Sequence, residues 1–148
     1  MKILVVSLSN RARSDAFSTL AKLYLDRLAA YAKVEAAVLR DEPAFFAWVE
    51  RQRSRTPPYV AMLDSRGQQA SSEQFAEWLG RQRDMGTQTL VFAIGSADGW
   101  TPEGRARADS LLSLGSMTLP HELARVVLAE QLYRAFTILA GHPYHSGH

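Results

Sequence analysis

The sequence contains no cysteine among its 148 residues. Disulfide bonds and thiolate chemistry are therefore excluded, which fits the cytoplasmic location that we expect for this protein. The chain also lacks a long hydrophobic run, since the apolar stretch within its first ten residues, MKILVVSLSN, extends over only about six residues. A run of that length is too short for a signal peptide or a membrane span, so we expect a β-strand here and no membrane partner.

Several familiar catalytic motifs are also missing. The chain has no GxGxxG, no Walker A loop, no GxSxG and no HExxH, and no Ser/His/Asp set stands out for nucleophilic catalysis. His142, His145 and His148 are spaced three residues apart, but without cysteine and near the end of the chain they do not predict a metal site. We therefore expect no metal, and the motifs alone leave the chemistry open.

Lysine is scarce, because arginine supplies 14 of the 17 basic residues in a chain whose net charge is only +2. The arginines recur in close groups, namely Arg11/Arg13, Arg51/Arg53/Arg55, Arg81/Arg83 and Arg105/Arg107. The planar guanidinium suits phosphate recognition, so such groups could follow a nucleic-acid backbone. The alternative is that they are solvated helix faces in a protein from a GC-rich genome.

Apolar periodicity predicts five strands that alternate with helices. The strands are expected at residues 3–8, 34–39, 59–63, 89–94 and 111–114. The helices are expected at residues 14–31, from 43 to the RQRSRTPP segment, from Ser71 or Ser72 to 83, at 102–110, and from 120 to 141. Such alternation predicts an α/β fold, a parallel sheet with helices on both faces, and the length predicts one domain over residues 1–148.

Three loops are expected at the carboxyl ends of the strands, at residues 64–67, 95–99 and 115–120. Ligands of open parallel sheets bind outside this edge, and the loops are rich in Gly, Ser and Thr. They predict a small-molecule cleft. For the IGSADG loop, a simple tight turn remains the alternative.

The last predicted helix is apolar all round, with 12 apolar residues among the 17 at positions 123–139. A helix of this kind is buried on more than one side, and one sheet covers only one side. We therefore expect a second copy of the chain to cover another. Glu130/Arg134 and His121/Arg125 are each four residues apart and share a helix face; a buried structural ion pair is the plainer interpretation of Glu130/Arg134.

The run LPHELARVVLAEQLYRAFTILAGHPYH, with the preceding LLSLGSMT and the upstream IGSADG, resembles the ribosomal large subunit methyltransferase H family. The resemblance is closest over residues 90–145 and collinear over nearly the whole chain. It implies a SPOUT-class enzyme that uses S-adenosylmethionine to methylate N3 of a pseudouridine in 23S rRNA of the assembled ribosome. It also implies a single SPOUT-type α/β domain with a C-terminal trefoil knot, and a homodimer with the cofactor pocket near the subunit interface.

The resemblance also implies site residues. The cofactor positions fall on Leu63, Gly95, Ser96, Gly115, Ser116, Met117, Thr118, Leu119 and Pro120. The residues implied to align the base or help it lose its proton are His121, Arg134, Tyr144 and His145, with Arg125 and His142 as further candidates. Either Arg134 or the tail residues Tyr144 and His145 are expected to hold an rRNA phosphate or the uracil edge, a role that the copy in the other subunit could fill. An ordered C-terminal cap is the alternative for the tail.

The chain departs from the family pattern in two places. Residues 94–99 read IGSADG where the family usually reads IGGPEG, and the segment 40–58 is shorter than the lysine-rich insertion that the family commonly carries. Docking on the ribosome would then depend on Arg51, Arg53 and Arg55. Two other functions remain open here: a catalytically silent ribosome-binding protein that retains the fold, and a flavodoxin-like nucleotide-binding domain.

Overall fold

A computed structural model of the chain describes residues 1–9 and 15–146. The Arg11/Arg13 pair, the predicted helix start at Ser14, and His148 lie outside the described residues. Elsewhere each predicted strand and helix can be compared with an observed one.

The described residues form one five-stranded sheet in the order β2-β1-β4-β3-β5. The strands are β1 (Lys2–Leu8), β2 (Lys33–Leu39), β3 (Tyr59–Gln69), β4 (Thr89–Ile94) and β5 (Ser110–Ser113). All neighbouring strands are parallel. The central strands β1 and β4 are buried along almost their whole length, because helices cover a parallel sheet on both faces. The predicted parallel α/β sheet is confirmed.

The helices are α1 (Ala16–Leu28), α2 (Glu42–Arg51), α3 (Ser72–Asp84), α4 (Pro102–Ala106) and α5 (His121–Ala140), followed by a 3₁₀ turn at Pro143–His145. On one face, α1, α3 and α5 pack on the sheet in a cluster that includes Leu28, Leu79 and Leu132. On the other face, α2 packs through Phe45 and Phe46 in a second cluster that also contains Trp100. No helix within the described residues is both long and apolar enough to cross a membrane.

Side-chain caps fix the starts of α1 to α4; at α4, the Thr101 hydroxyl accepts from the Gly104 amide at 3.0 Å. The Asp15 carboxylate accepts from the Ser18 amide at 3.0 Å, and the Asp41 carboxylate accepts from the Ala44 amide at 2.9 Å. Ser71 forms a capping box with Gln74, which decides between the two serines predicted to cap α3. These starts are local features, and the sequence signals for them are local as well.

The two ends of α5 follow the proline and glycine signals with a shift of one residue. Pro120 occupies the position before the first helical residue rather than the first position itself. Gly141 ends the helix in the left-handed conformation at φ 72°, where a glycine carries no side-chain strain. The chain then turns back, and the His142 amide bonds to the Thr137 carbonyl at 2.9 Å.

α5 lies between α1 and α3, on top of the sheet. Leu128 and Leu132 are fully buried there, and Ala135 is almost so. The all-round apolar surface from which we expected a second copy is therefore covered largely within the single chain. Leu123, near the start of the helix, is an exception, with 37% of its surface exposed.

β3 differs most from the expectation, since it continues past the predicted end at Leu63 to Gln69 and includes the segment 64–67 that was predicted as a loop. The register is irregular there, because Leu112 of β5 pairs both with Leu63 and with Gln68. A side chain at Gly67 would bring its Cβ within 2.6 Å of the backbone of Leu111 and Leu112. The Asp-Ser-Arg-Gly sequence predicts a turn, but contact with β5 keeps it extended.

α4 is shorter than predicted, ending at Ala106 rather than near residue 110. The cause is Asp109, whose amide donates to the Val60 carbonyl at 2.9 Å while its carboxylate accepts from the Val60 amide at 2.7 Å. These two bonds attach the chain to β3. β5 consequently begins at Ser110, one residue before the predicted start.

Candidate functional site

A cavity of about 830 Å³ lies outside the carboxyl ends of β3, β4 and β5. Its volume falls within the range of small-molecule sites, and its position is the one that parallel sheets favour. The residues from the predicted cofactor set that line it are Leu63, Gly95, Ser96, Gly115, Met117, Thr118, Leu119 and Pro120. Ser116 is not among the lining residues. The three predicted loop regions therefore meet around one space, although only two of them are loops.

Trp100 joins the ends of β3 and β4 at the base of the cavity. Its indole Nε1 donates to the Leu63 carbonyl at 3.0 Å, and the ring is 95% buried. A Cβ on Gly95 would lie 3.0 Å from the same nitrogen. Trp100 was missed from the sequence, where a tryptophan after a glycine-rich loop has the same pattern as any core aromatic residue.

Asp64 places a nearly buried carboxylate in the cavity wall, with 6% of its side chain exposed. Its Oδ1 accepts from the Arg66 amide at 2.8 Å, and its Oδ2 lies 3.9 Å from Arg105 Nη1. Arg105 also donates to the Trp100 carbonyl at 2.6 Å. Neither Asp64 nor Arg105 was predicted as a site residue, because their contact joins β3 to α4, which are far apart in sequence.

The Arg105/Arg107 pair does not form a free basic surface. Arg105 makes the contacts just described, and Arg107 packs its guanidinium 3.8 Å from the centre of the Phe46 ring. Both side chains are engaged within the protein. For this pair, a structural role explains the clustering of arginines.

In the cavity loops, the backbone at Gly115 has a positive φ that favours glycine, whereas the backbone at Ser96 does not. Among the described residues positive φ occurs only at glycines, including Gly99 at 77° and Gly115 at 140°, so Ser96 in place of the usual family glycine carries no such strain. The Gly115 amide donates to Ser113 Oγ at 3.2 Å, and the same hydroxyl donates to the Gly115 carbonyl at 2.8 Å. The loop is thus held in a conformation suited to glycine.

His121 is the only one of the four predicted catalytic residues that lines the cavity. Its Nε2 lies 3.4 Å from Glu122 Oε1, and Arg125 Nη2 donates to Glu122 Oε2 at 2.9 Å. Arg125 also donates to Ser18 Oγ at 3.0 Å, which attaches the start of α5 to α1. His121 and Arg125 share a helix face as predicted, with Glu122 between them.

The other three predicted catalytic residues belong to a tail cluster formed by Glu73, Glu130, Arg134, Tyr144 and His145. Glu130 Oε1 accepts from Arg134 Nε at 2.9 Å and from the Tyr144 hydroxyl at 3.1 Å. Arg134 Nη1 contacts His145 Nδ1 at 2.9 Å, and His145 Nε2 contacts Glu73 Oε1 at 2.6 Å. The predicted Glu130/Arg134 ion pair is confirmed.

These contacts fix the tautomer of His145. A guanidinium can only donate, so Nδ1 accepts from Arg134 and Nε2 carries the hydrogen that is donated to Glu73. The hydrogen bond from His145 lowers the pKa of the Glu73 carboxyl, which keeps it ionised. The C-terminal turn is thereby attached to the start of α3.

Glu130 contributes to the raised pKa values of two neighbours in the tail cluster, Arg134 and Tyr144. Its hydrogen bond raises the pKa of Arg134, which stays charged. Burial, followed by the hydrogen bond to Glu130, raises the pKa of the Tyr144 phenol, which stays protonated. The Arg134 guanidinium carbon lies 4.8 Å from the centre of the Tyr144 ring. Tyr144 is thus held as a neutral donor next to a fixed cation.

The tail cluster and the cavity are separate in the single chain, since none of the five cluster residues lines the cavity. His142, a further candidate, is exposed and its Nδ1 accepts from the Tyr144 amide at 3.1 Å. Within residues 1–9 and 15–146, no three His, Cys, Asp or Glu side chains are grouped as metal ligands would be.

Comparisons of sequence with known proteins agree over the whole chain. A family model described as predicted SPOUT methyltransferase matches residues 1–145. A protein of Koribacter versatilis named ribosomal RNA large subunit methyltransferase H is 49% identical over 148 residues, which is 100% of each chain. A protein of the same name from Allorhizobium ampelinum is 54% identical over 88 residues, 60% of this chain and 55% of that relative.

Comparisons of structure agree on the fold. SpoU methyltransferase AviRb from Streptomyces viridochromogenes, solved in complex with AdoMet, aligns with a TM-score of 0.50 and 16% identity over 96% of this chain and 58% of that one. A probable methylase family protein from Haemophilus influenzae Rd KW20 aligns with a TM-score of 0.55 and 11% identity over 99% and 70%. Because the family model and the full-length relative both cover the chain, this protein belongs to the SPOUT methyltransferase family.

Proposed function

We propose that the protein is an S-adenosylmethionine-dependent methyltransferase that acts on the large-subunit ribosomal RNA. Its target is N3 of a pseudouridine in 23S rRNA of the assembled ribosome, and it works in the cytoplasm as a homodimer. The observation that carries the proposal is the 49% identity, over 100% of both chains, to a protein named ribosomal RNA large subunit methyltransferase H.

The cavity fits the cofactor in size and in chemistry. S-adenosylmethionine presents polar adenine, ribose and amino-acid groups together with an apolar methylene chain. The loops 95–99 and 115–120 offer backbone N–H and C=O groups for the polar part, while Leu63, Met117 and Leu119 offer apolar walls. When bound, the cofactor supplies a methyl group activated by a sulfonium.

The chain must then align the base nitrogen with that methyl group and assist the loss of the N3 proton. His121 lies in the cavity wall and has a neutral acceptor nitrogen available when its imidazole is uncharged, so it is our candidate for receiving or relaying the proton. Glu122, 3.4 Å away, orients the imidazole. Arg134, Tyr144 and His145 would bind the RNA.

The separation of the tail cluster from the cavity supports a role for the second subunit. In the homodimer that we propose, the tail cluster of one subunit completes the cavity of the other. Exposed apolar side chains on α1 and at the start of α5 supply a surface for that contact, namely Phe17, Leu20, Leu23 and Leu123. Arg125 already joins these two helix starts through Ser18.

We also propose that the C-terminal segment forms the trefoil knot of the SPOUT class. The double pairing of Leu112 with Leu63 and Gln68 supports this, because it places the segment 64–67 closely around β5. The fit is tight, with room only for a glycine at position 67.

Calorimetric titration with S-adenosylmethionine and methylation of large subunits that lack the modification test the proposed activity. We expect one cofactor site per chain and a new methyl group at N3, located by mass spectrometry of the digested rRNA. The His121→Asn variant should bind the cofactor as the wild type does and transfer the methyl group at least about tenfold more slowly. A protein that binds large subunits but neither binds the cofactor nor transfers a methyl group would be a silent ribosome-binding protein instead.

Sedimentation of the Leu20→Asp/Leu123→Asp variant tests the homodimer. We expect the wild type to sediment as a dimer and this variant as a folded monomer without methyl transfer, because two charges would be buried in the interface. Met85→Asp is the matched control, since Met85 is 73% exposed at the far end of α3. A wild-type monomer with full activity would refute both the dimer and the shared site.

A further inference from the structure

We propose that a second RNA-binding surface lies at the amino ends of the strands, opposite the cavity, and binds the phosphodiester backbone of RNA that extends beyond the modified nucleotide. The inference rests on the proposed function, since it names how that substrate is held. We call this surface the amino-edge site and define it by Ser54, Arg55, Arg83, Gly86, Thr87 and Gln88.

The amino-edge site is a depression of about 590 Å³, lined by these six residues and Met1. It is formed by the loop before β3 and the loop before β4, which are neighbours because β3 and β4 pair in the sheet. Arg55 comes from the loop before β3 and Arg83 from the last turn of α3, and both line the same depression. The fold therefore brings together two arginine groups that are separate in the sequence.

Hydrogen bonds hold these two loops in place in the protein alone, one between the loops and others to β1 and α3. The Ser54 hydroxyl donates to Gln88 Oε1 at 2.9 Å, and the Lys2 amide donates to the Gln88 carbonyl at 2.8 Å. The Thr87 hydroxyl donates to Gln82 Oε1 at 2.7 Å. A site built in advance loses less entropy when a ligand binds.

The positive charge at this edge is largely free to bind an anion. Arg53 and Arg55 are exposed, and among residues 1–9 and 15–146 neither guanidinium has a carboxylate within 4.0 Å. Arg83 pairs with its neighbour Asp84 at 3.5 Å, and both side chains are more than half exposed. Such exposed pairs are weak, so a phosphate can compete with Asp84.

Arginines at the amino-edge site thus differ from Arg105 and Arg107, whose guanidinium groups are engaged within the protein. A guanidinium binds two phosphate oxygens at once, and Ser, Thr and Gln side chains are common phosphate ligands. Within the part of the chain that the structure describes, the lining contains no aromatic ring on which a base could stack. The site therefore suits the backbone of RNA rather than its bases.

The two RNA contacts are far apart. β1 has 7 residues, so the two edges of the sheet are separated by about 23 Å at 3.3 Å per residue. A five-nucleotide RNA with the target at its centre extends by only two nucleotides to either side of the cavity, so it cannot also reach the amino-edge site. A long rRNA fragment can do so, and it should bind more tightly for that reason.

The test compares Arg55→Gln/Arg83→Gln with a control of equal charge change, Lys22→Gln/Arg40→Gln, whose side chains are exposed elsewhere. Fluorescence anisotropy measures binding to a structured rRNA fragment that contains the target and to a five-nucleotide RNA with the same target. For the long RNA, we expect the first variant to bind about tenfold more weakly and its log–log salt slope to fall by about two. Binding of the short RNA and of S-adenosylmethionine should not change.

Two outcomes would overturn the proposal, and a third would separate it from the proposed function. An equal loss in the control variant would mean that only net charge matters. Unchanged binding of the long RNA would show that this surface does not bind RNA. If the variant nevertheless methylated whole large subunits more slowly, the partner of this surface would be an acidic protein. A wild type that binds long RNA in this manner but neither binds the cofactor nor methylates would refute the proposed function while leaving the amino-edge site in place.

Discussion

The cavity and the tail cluster are built in opposite ways, although the same resemblance predicts both as functional. The cavity is made mainly of backbone from closely approaching strand ends, with Trp100 and Gly67 setting how close they come. The tail cluster is made of charged and polar side chains, with Glu130 accepting from both Arg134 and Tyr144. The cavity should therefore be sensitive to added atoms, and the tail cluster to lost charges and to pH.

Gly67→Ala should give the largest effect, because its Cβ would meet backbone atoms of β5 at 2.6 Å and those cannot rotate away. We expect the free energy of unfolding to fall by about 1–3 kcal/mol, as in overpacked cores, and cofactor affinity to fall at least about tenfold. Denaturant unfolding and calorimetry measure the two quantities.

Gly80→Ala is the matched control for Gly67→Ala. Its Cβ would meet only the movable end of Leu139, at 3.1 Å, on a helix remote from the cavity lining. It should leave cofactor affinity unchanged. If both variants bound the cofactor like the wild type, close strand approach would not be what forms the cavity.

Trp100→Phe should have the next largest effect. It removes the indole donor and leaves the Leu63 carbonyl without its 3.0 Å partner at a buried position. Such a loss costs about 1–3 kcal/mol of unfolding free energy, and the loosened strand ends should weaken cofactor binding. Trp48→Phe, on the half-buried side of α2, is the control; equal losses in both variants would point to lost aromatic packing alone.

Glu130→Gln should act on the tail cluster and spare the cavity. The amide keeps the shape but loses the charge that binds Arg134 and Tyr144, at a cost of about 1–2 kcal/mol of unfolding free energy. Cofactor affinity should stay constant while methyl transfer to rRNA falls. Glu77→Gln removes the exposed pair with Arg81 and should change stability by less than about 0.5 kcal/mol. Loss of cofactor binding in Glu130→Gln would show that the two regions are not independent.

Acid should release the tail with the smallest energetic effect. The pKa of Glu73 is lowered by His145, so its contact is present above the ordinary pKa of 4.5 and is lost as the pH falls through the lowered value. NMR of the His145 ring should report this release in the wild type. Glu73→Gln should abolish the acid-dependent step, and a step that persists in that variant would assign it to another group.

Local features of the fold could be predicted from the sequence, whereas contacts between distant segments could not. The capping serine of α3 and the glycine at the end of α5 act on neighbouring residues, and both were predicted. The extension of β3 depends on how Gly67 meets β5, and the shortening of α4 depends on Asp109 meeting Val60. No periodicity in the sequence predicts these two contacts.

The same distinction between local features and distant contacts applies to the candidate site. Its glycine-rich loops follow predicted strands, so their convergence could be expected from the topology of a parallel sheet. Trp100, Arg105 and Glu73 were missed because each acts on a residue brought near by folding. Their types alone are common in ordinary cores and surfaces.

The central position of α5 has a consequence for how the protein is made. Leu128, Leu132 and Phe136 belong to the larger core cluster, yet they follow α1, α3 and all five strands along the chain. Until they emerge, α1, α3 and one face of the sheet have nothing to pack against between them. A chain that folds while it is being synthesised must keep that apolar surface open until α5 has been made.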